Sequence, residues 1–396
     1  MESNDRDRIL LAGLLFTVLL SQVLIYPGIA GLVDALGAET ELDASMWFLA
    51  SEFMGYIALV TLWGLASDRI GRRRPLIVIG AVGGAIGYAL VPLLAVGWGV
   101  TFDALLVIRF TQGALTIGAF SLAMTMLMDL PGGHGRNMGA AGIAIGLGTG
   151  LGAPLGGILS TIDPIAPMLA ASGLLLLVGI GTVTVADRTP RATESIMATI
   201  GGIRRTPALV LPYAFGLIDR LTAGFFALIG TLYFQAEFGL TYFETGIMLS
   251  LFFFPFAMFQ YPLGMLSDRI GRTVPVLLGS GLYGIGVIGV GIAPRVELAG
   301  LAMIAVGILG ALMAPATMAL VTDLAPATDR GTAMGGFNLF GSLGFLCGFL
   351  IGGTVVDRFD FLTAFLVAGG LEILVALVAI PLFIRFNIAT RVERVS

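Results

Sequence analysis

Apolar stretches of about 20 residues, separated by short polar segments, recur along the whole chain. As a helix, each is long enough to cross a hydrocarbon layer about 30 Å thick. The pattern predicts twelve spans, near 9–33, 45–66, 76–97, 104–127, 138–160, 168–186, 208–234, 242–266, 273–293, 298–321, 332–355 and 362–384. Helices are expected because a backbone in lipid has to satisfy its hydrogen bonds within the segment. Local chemistry marks some starts: Thr206-Pro207 reads as an N-cap followed by an N1 proline, and Thr241-x-x-Glu244 as a capping box. The first apolar stretch is longer than a signal-peptide core and has no small-residue cleavage site, so it is expected to remain as the first span.

Composition agrees with a lipid solvent. The 396 residues are 57% hydrophobic and 12% charged, with mean hydropathy +0.99, against roughly 25% charged in soluble domains. The single cysteine, Cys347, excludes an intrachain disulfide and a multi-cysteine metal site and reads as a small core residue. There is no lysine, so all 21 basic residues are arginine. A Walker-type phosphate loop requires that lysine, so the sequence offers none and direct ATP drive within this chain is not expected. No His/Cys cluster or nucleophile motif implies an enzyme, and no cofactor, metal or nucleic acid is implied. The expected partners are a lipid bilayer and a small molecule.

With both termini placed in the cytoplasm, 17 of the 21 arginines fall in cytoplasmic segments. Arg295 and Arg358 fall in outer loops, and Arg109 and Arg220 lie inside spans. This bias predicts that orientation, an even number of spans and a cell-membrane location. For Arg73 and Arg74, marking the cytoplasmic side is the expected role. His134 is expected to be solvated in a Gly-rich loop.

Two motifs repeat. Gly64-Leu-Ala-Ser-Asp68-Arg69-Ile-Gly71-Arg72 ends the second span, and Gly264-Met-Leu-Ser-Asp268-Arg269-Ile-Gly271-Arg272 ends the eighth, 200 residues later. Asp129 and Arg136 recur as Asp323 and Arg330, offset by 194 residues. The repeats predict two related six-helix bundles, 1–186 and 208–396, joined by a linker at 187–207. Such parallel repeats place a substrate site between them near mid-membrane.

G-x-x-x-D-R-x-G-R at this position resembles the loop signature of the major facilitator superfamily. The resemblance implies an all-α integral membrane protein with twelve transmembrane helices in two pseudo-symmetric bundles, working by alternating access as a monomer. It also implies that Asp68, Arg69, Arg72, Asp268, Arg269 and Arg272 act as gates. Gly64 and Gly71 would permit close approach and a tight turn, and Asp68 would accept N–H groups at a neighbouring helix N-terminus.

Glycines at four-residue spacing, Gly142/Gly146/Gly150, Gly148/Gly152/Gly156 and Gly344/Gly348/Gly352, should allow tight helix contacts between the halves. Gly152-Ala-Pro154-Leu-Gly156-Gly157 also resembles the antiporter motif of drug:proton exchangers, with its proline one place late. The alternative reading is a close-packed, kinked helix. Leu105-x-x-x-Arg109-x-x-Gln112-Gly113 resembles a second exchanger signature, in which the arginine lies in the cavity and couples protons. A charge in the bilayer needs a partner, and Glu52 lies at matching depth. The Glu52–Arg109 pair is expected to be either a protonatable switch or a static ion pair. Asp219 and Arg220, adjacent on span seven, each need a partner elsewhere. Asp219 is a second protonation or cation-site candidate, and Arg220 a counter-ion. Glu372 is expected to be paired structurally, and the Met124/Met126/Met128 and Phe252-Phe253-Phe254 groups to pack.

The resulting expectation is proton-coupled export of small amphipathic or lipophilic compounds. The alternative is transport of a sugar, organic acid or lipid-like solute, and a membrane-embedded sensor or enzyme ranks below both. The scarcity of carboxamides in the spans, Gln22, Gln112, Gln260 and Asn338, argues against sugars.

Overall fold

The computed structural model describes residues 3–131, 134–187, 204–326 and 329–393. Most of the expected linker, 188–203, lies outside the described residues, as do the side chains of His134 and Arg136. The helices are α1 (Ser3–Val23), α2 (Ile29–Ala35), α3 (Glu41–Ile70), α4 (Arg74–Trp98), α5 (Phe102–Met128), α6 (His134–Ile162) and α7 (Ala166–Thr182). They continue as α8 (Val210–Phe225), α9 (Thr231–Phe238), α10 (Tyr242–Ile270), α11 (Thr273–Gly291), α12 (Val296–Leu324), α13 (Arg330–Arg358) and α14 (Phe361–Glu393). Among the described residues, 10 helical segments are long and apolar enough to cross a membrane.

The two remaining predicted spans differ from expectation. The first is broken at Tyr26-Pro27-Gly28 into α1 and α2, because Pro27 has no N–H to continue the ladder. The sixth is the shorter helix α7. The seventh combines α8 and α9 through a π-helical turn at Phe226–Gly230. Thr206 forms no side-chain cap, and Pro207–Leu209 instead makes a 3₁₀ turn leading into α8. The Thr241–Glu244 capping box is complete. Asp360 accepts the Thr363 N–H at 2.6 Å at the start of α14, and this bond holds its carboxyl below the ordinary carboxylate range.

The two halves repeat the same packing. In the first, α1 packs on α6, α5 on α3 and α4, and α4 on α7. In the second, α8 packs on α13, α12 on α10 and α11, and α11 on α14. The halves meet along α6 with α10 and along α3 with α13.

The glycine ladders divide between these interfaces, which corrects the expectation that all three join the halves. A β carbon on Gly148 would strike Phe16 of α1, one on Gly152 Val23 at its end, and one on Gly156 Leu24 just beyond it. Gly344, Gly348 and Gly352 likewise back onto Leu217, Leu221 and Ile229 of the seventh span. Both ladders therefore lie within a half. Gly146 and Gly150 face Ala257 and Phe254 of α10, so the ladder that includes Gly142 joins the halves. The reason is geometric: the two ladders of α6 lie on different sides of one helix, and only one side faces α10.

Contacts between the halves concentrate at the arginine-poor end. Gly157 meets Tyr242 and Phe243 there, Gly353 meets Met46, and Gln235 donates to the Pro27 carbonyl at 2.7 Å. Phe53 of α3 stacks on Phe345 of α13 with ring centres 4.7 Å apart. Towards the arginine-rich end α6 and α10 loosen: a β carbon on Gly142 would reach only Gln260, at 4.0 Å, and one on Gly139 would meet nothing within 4 Å.

Candidate transport site

In the first half, Arg109 of α5 and Glu52 of α3 form a completely buried ion pair, Nη2 to Oε2 at 2.5 Å. α3 and α5 approach this closely because Gly55 and Gly113 carry no side chain where the two backbones touch. Gln112 Oε1 accepts from Arg109 Nη1 at 2.5 Å, and Gln112 Nε2 donates to Thr116 at 2.8 Å. Tyr56 and Tyr88 each donate to Glu52 Oε1 at 3.1 Å. The guanidinium lies over the Phe48 and Tyr88 rings at 4.7 and 4.8 Å, which adds cation–π attraction in a desolvated site. Arg109, Glu52 and Gln112 are thus enclosed in the bundle and do not line an open cavity in this conformation, contrary to the cavity position that the signature implies. The aromatic lid of Phe48 and Tyr88 is the cause.

In the second half, Asp219 is nearly buried, whereas the adjacent Arg220 side chain is 45% exposed. Arg220 Nε lies 3.8 Å from Asp219, so the long arginine stem turns back to form a loose pair with its own neighbour. Arg220 also runs over Gly341 of α13. Gly341 shares a face of α13 with Phe345, which meets the first half, and with the exposed Asn338. Arg220 therefore stands at mid-span where the halves face each other. Among the described residues Glu372 has no arginine partner; it is held by the hydroxyls of Thr222 and Ser280.

The repeated loop motifs are built asymmetrically. In the second half, Arg272 pairs with Asp268 and, at 3.1 Å, with Asp323. In the first half the corresponding acid, Asp129, is bound by Arg73 at 2.6 Å. Arg73, expected to mark the cytoplasmic side, is 1% exposed and ties the end of α5 to the start of α4. Thr273 occupies the equivalent place in the repeat, which leaves Arg272 to do this work in the second half. Asp187, after the sixth span, accepts from the N–H groups of Arg73 and Arg74 at 3.1 and 3.3 Å. Arg69, Arg72 and Arg269 are exposed, and Asp68 is half-buried. Gly71 is left-handed, with φ 68°, and Gly271 has φ 87°, so both turns require glycine. Gly64 is buried, and Gly264 leaves ordinary space beside Pro315.

Several functional contacts had no signal in the sequence. Pro154 has no N–H for the Gly150 carbonyl, and Ser250 of α10 donates to that carbonyl at 2.7 Å from the other half. Proline spacing could have located the orphan carbonyl, although not its partner. Arg8, at the start of α1, is buried against Asn137 at 2.8 Å and the Pro131 carbonyl at 2.7 Å. An apolar crevice of about 410 Å³, bordered by Ile218, Leu221, Cys347, Leu371 and Val375, opens between α8, α13 and α14. It lies in the second half and is separate from the face that Arg220 occupies.

Comparison with known proteins fits this architecture. Residues 11–230 and 213–394 each match the profile of the Major Facilitator Superfamily, and the chain belongs to that family. It is a multi-pass membrane protein with the major facilitator fold. An uncharacterised MFS-type transporter of Methanocaldococcus jannaschii is 31% identical over 159 residues, covering 40% of this chain and 41% of that protein. A vacuolar membrane amino acid uptake transporter of Schizosaccharomyces pombe is 28% identical over 46% of this chain and 30% of its own length. The matches thus span less than half the length of these relatives. Among solved structures, the human organic anion transporter MFSD10 aligns with TM-score 0.67 at 21% identity, over 95% of this chain and 99% of that one. The nucleoside transporter NupG aligns with TM-score 0.76 at 14% identity, over 97% and 99%. These structural likenesses concern the fold.

Proposed function

We propose that this transporter exports a small amphipathic solute bearing an anionic group, in exchange for protons, by rocking its two halves about a central site. The observation that carries the substrate class is Arg220, a half-exposed fixed cation at mid-span on the seam between the halves. An intramembrane arginine left partly open is a counter-ion awaiting an anion. Its neighbour Asp219, turned into the helix packing, serves as a protonation site, and the Glu52–Arg109–Gln112 cluster serves as a second coupling station. The exchange of protons and the export direction draw on the exchanger-like signature around Arg109 and the motif Gly148, Gly152, Pro154, Gly156. With the arginine-rich end in the cytoplasm of the cell membrane, this conformation is inward-facing, and a monomer holds the complete pathway. The motif residues Asp68, Arg69, Arg72, Asp268, Arg269 and Arg272 act as its gate.

Transport in proteoliposomes under an imposed pH gradient tests this reading. A panel of amphipathic organic anions, cationic dyes and sugars is compared. The expected result is anion movement opposite to proton flow, lost in Arg220→Gln and uncoupled from the gradient in Glu52→Gln and Asp219→Asn. Gradient-independent movement of a sugar, with anions ignored, would overturn it.

A further inference from the structure

Glu372 lies in the interior of α14 and is completely buried. There α14 crosses α11 so closely that a β carbon on Gly284 would strike the Gly369 carbonyl and approach Glu372 Cβ to 2.9 Å. Thr222 Oγ1 of α8 donates to Glu372 Oε1 at 3.1 Å, and Ser280 Oγ of α11 donates to Oε2 at 2.7 Å. Both partners are neutral. The titratable and charged groups around it are Asp219 on α8, one turn from Thr222, with Arg220 beside it; Tyr283 on α11, one turn from Ser280; and Cys347 on α13, across the apolar crevice. Tyr283 lies within electrostatic reach of both Glu372 and Asp219, and its buried hydroxyl has no hydrogen-bond partner.

The two hydroxyls donate to the carboxylate, but both are neutral and leave its charge buried in a dry site. The neutral acid avoids that cost, its O–H donating to one hydroxyl oxygen while the other hydroxyl still donates to its carbonyl. A second carboxyl nearby adds repulsion whenever both are ionised. We propose that Glu372, framed by Thr222, Ser280 and Tyr283, is a proton-binding site of the second half, occupied in this conformation. Its proton leaves when movement of α8 against α14 brings water to the carboxyl. The site extends the proton-coupled reading above to the second half, and so rests on it for its role in transport. Proton binding itself does not depend on that reading.

Infrared difference spectroscopy of the full chain in detergent, titrated from neutral to alkaline pH, reads the carbonyl stretch of a protonated carboxyl. The wild type should show such a band at neutral pH and lose it on titration. Glu372→Gln should remove it, and Asp219→Asn should shift the pH at which it is lost. Ser280→Ala and Thr222→Val should move its frequency without removing it, which keeps the test decisive where Glu372→Gln fails to fold. Replacing sodium by choline should change nothing. A neutral-pH band that survives Glu372→Gln, a frequency unmoved in both hydroxyl variants, or a titration that requires sodium would each overturn the proposal. A positive result with no proton-driven transport would instead locate the failure in the function proposed above.

Discussion

Arg109 shows how a charge persists in a span. Its guanidinium has a carboxylate, an amide oxygen and two aromatic faces, so the cost of leaving water is offset by geometry fixed on three helices. Removing the cation alone strands Glu52 in the same dry pocket. Arg109→Leu should therefore destabilise the protein by about 3–5 kcal/mol, and adding Glu52→Gln should restore much of the loss. Thermal unfolding in detergent measures both; strictly additive effects would mean that the two groups are not energetically coupled. The pair itself was legible, because an arginine within an apolar span demands an acid at matching depth. Tyr56, one helical turn from Glu52, was within reach of the same reasoning. Tyr88 was not, since the register of α4 against α3 and α5 is set by packing that no local pattern records. Arg220 and Asp219 carry the same lesson: adjacency on the helix was visible, but which of them faces the seam was not.

At the scale of elements, glycine spacing identified which helix faces approach closely but left the partner open. Span lengths and the repeated halves were legible because hydropathy and arginine distribution act over whole segments, while the breaks at Pro27 and Phe226–Gly230 depend on tertiary packing. The two kinds of ladder should respond differently to the same substitution. A β carbon on Gly348 would strike the Leu221 carbonyl, a backbone atom within the same half that cannot move away. Gly348→Leu should cost several kcal/mol, as overpacking in a rigid core does, and lower the yield of folded protein. At Gly146 the obstructing atom is the Ala257 side chain of the other half. Gly146→Leu should leave each half folded and instead force α6 from α10. Size-exclusion profiles and thermal unfolding separate the cases; equal loss of folded protein in both would contradict this division.

At the scale of the whole molecule, closure of the arginine-poor end rests on the packing of α6 on α10 and of α3 on α13, between halves that are individually well packed. One contact in the first pair is a hydrogen bond created by a helix defect. Pro154 withholds an N–H from the Gly150 carbonyl, and in lipid no water takes its place. Ser250, from the opposite half, donates to that carbonyl at 2.7 Å with the end closed, and has the Gly246 carbonyl of its own helix at 3.0 Å as the alternative when the halves part. The proline thus converts a backbone deficit into a preference for one state of the rocking motion. Ser250→Ala removes the donor and leaves the carbonyl orphaned in the closed state, whereas separation of α6 from α10 admits water. A net difference of about 1 kcal/mol corresponds to roughly a fivefold shift toward opening at that end. Spin labels at Glu39 and Glu237, exposed on the two halves at the arginine-poor end, with Cys347 replaced by Ala, report the opening as a second, longer distance. Ser250→Ala should enlarge that population, and Ser250→Thr, which keeps the donor, should not. An unchanged distribution in Ser250→Ala would mean that the aromatic stack of Phe53 on Phe345 and the bond from Gln235 to Pro27 set the closed state without this contact.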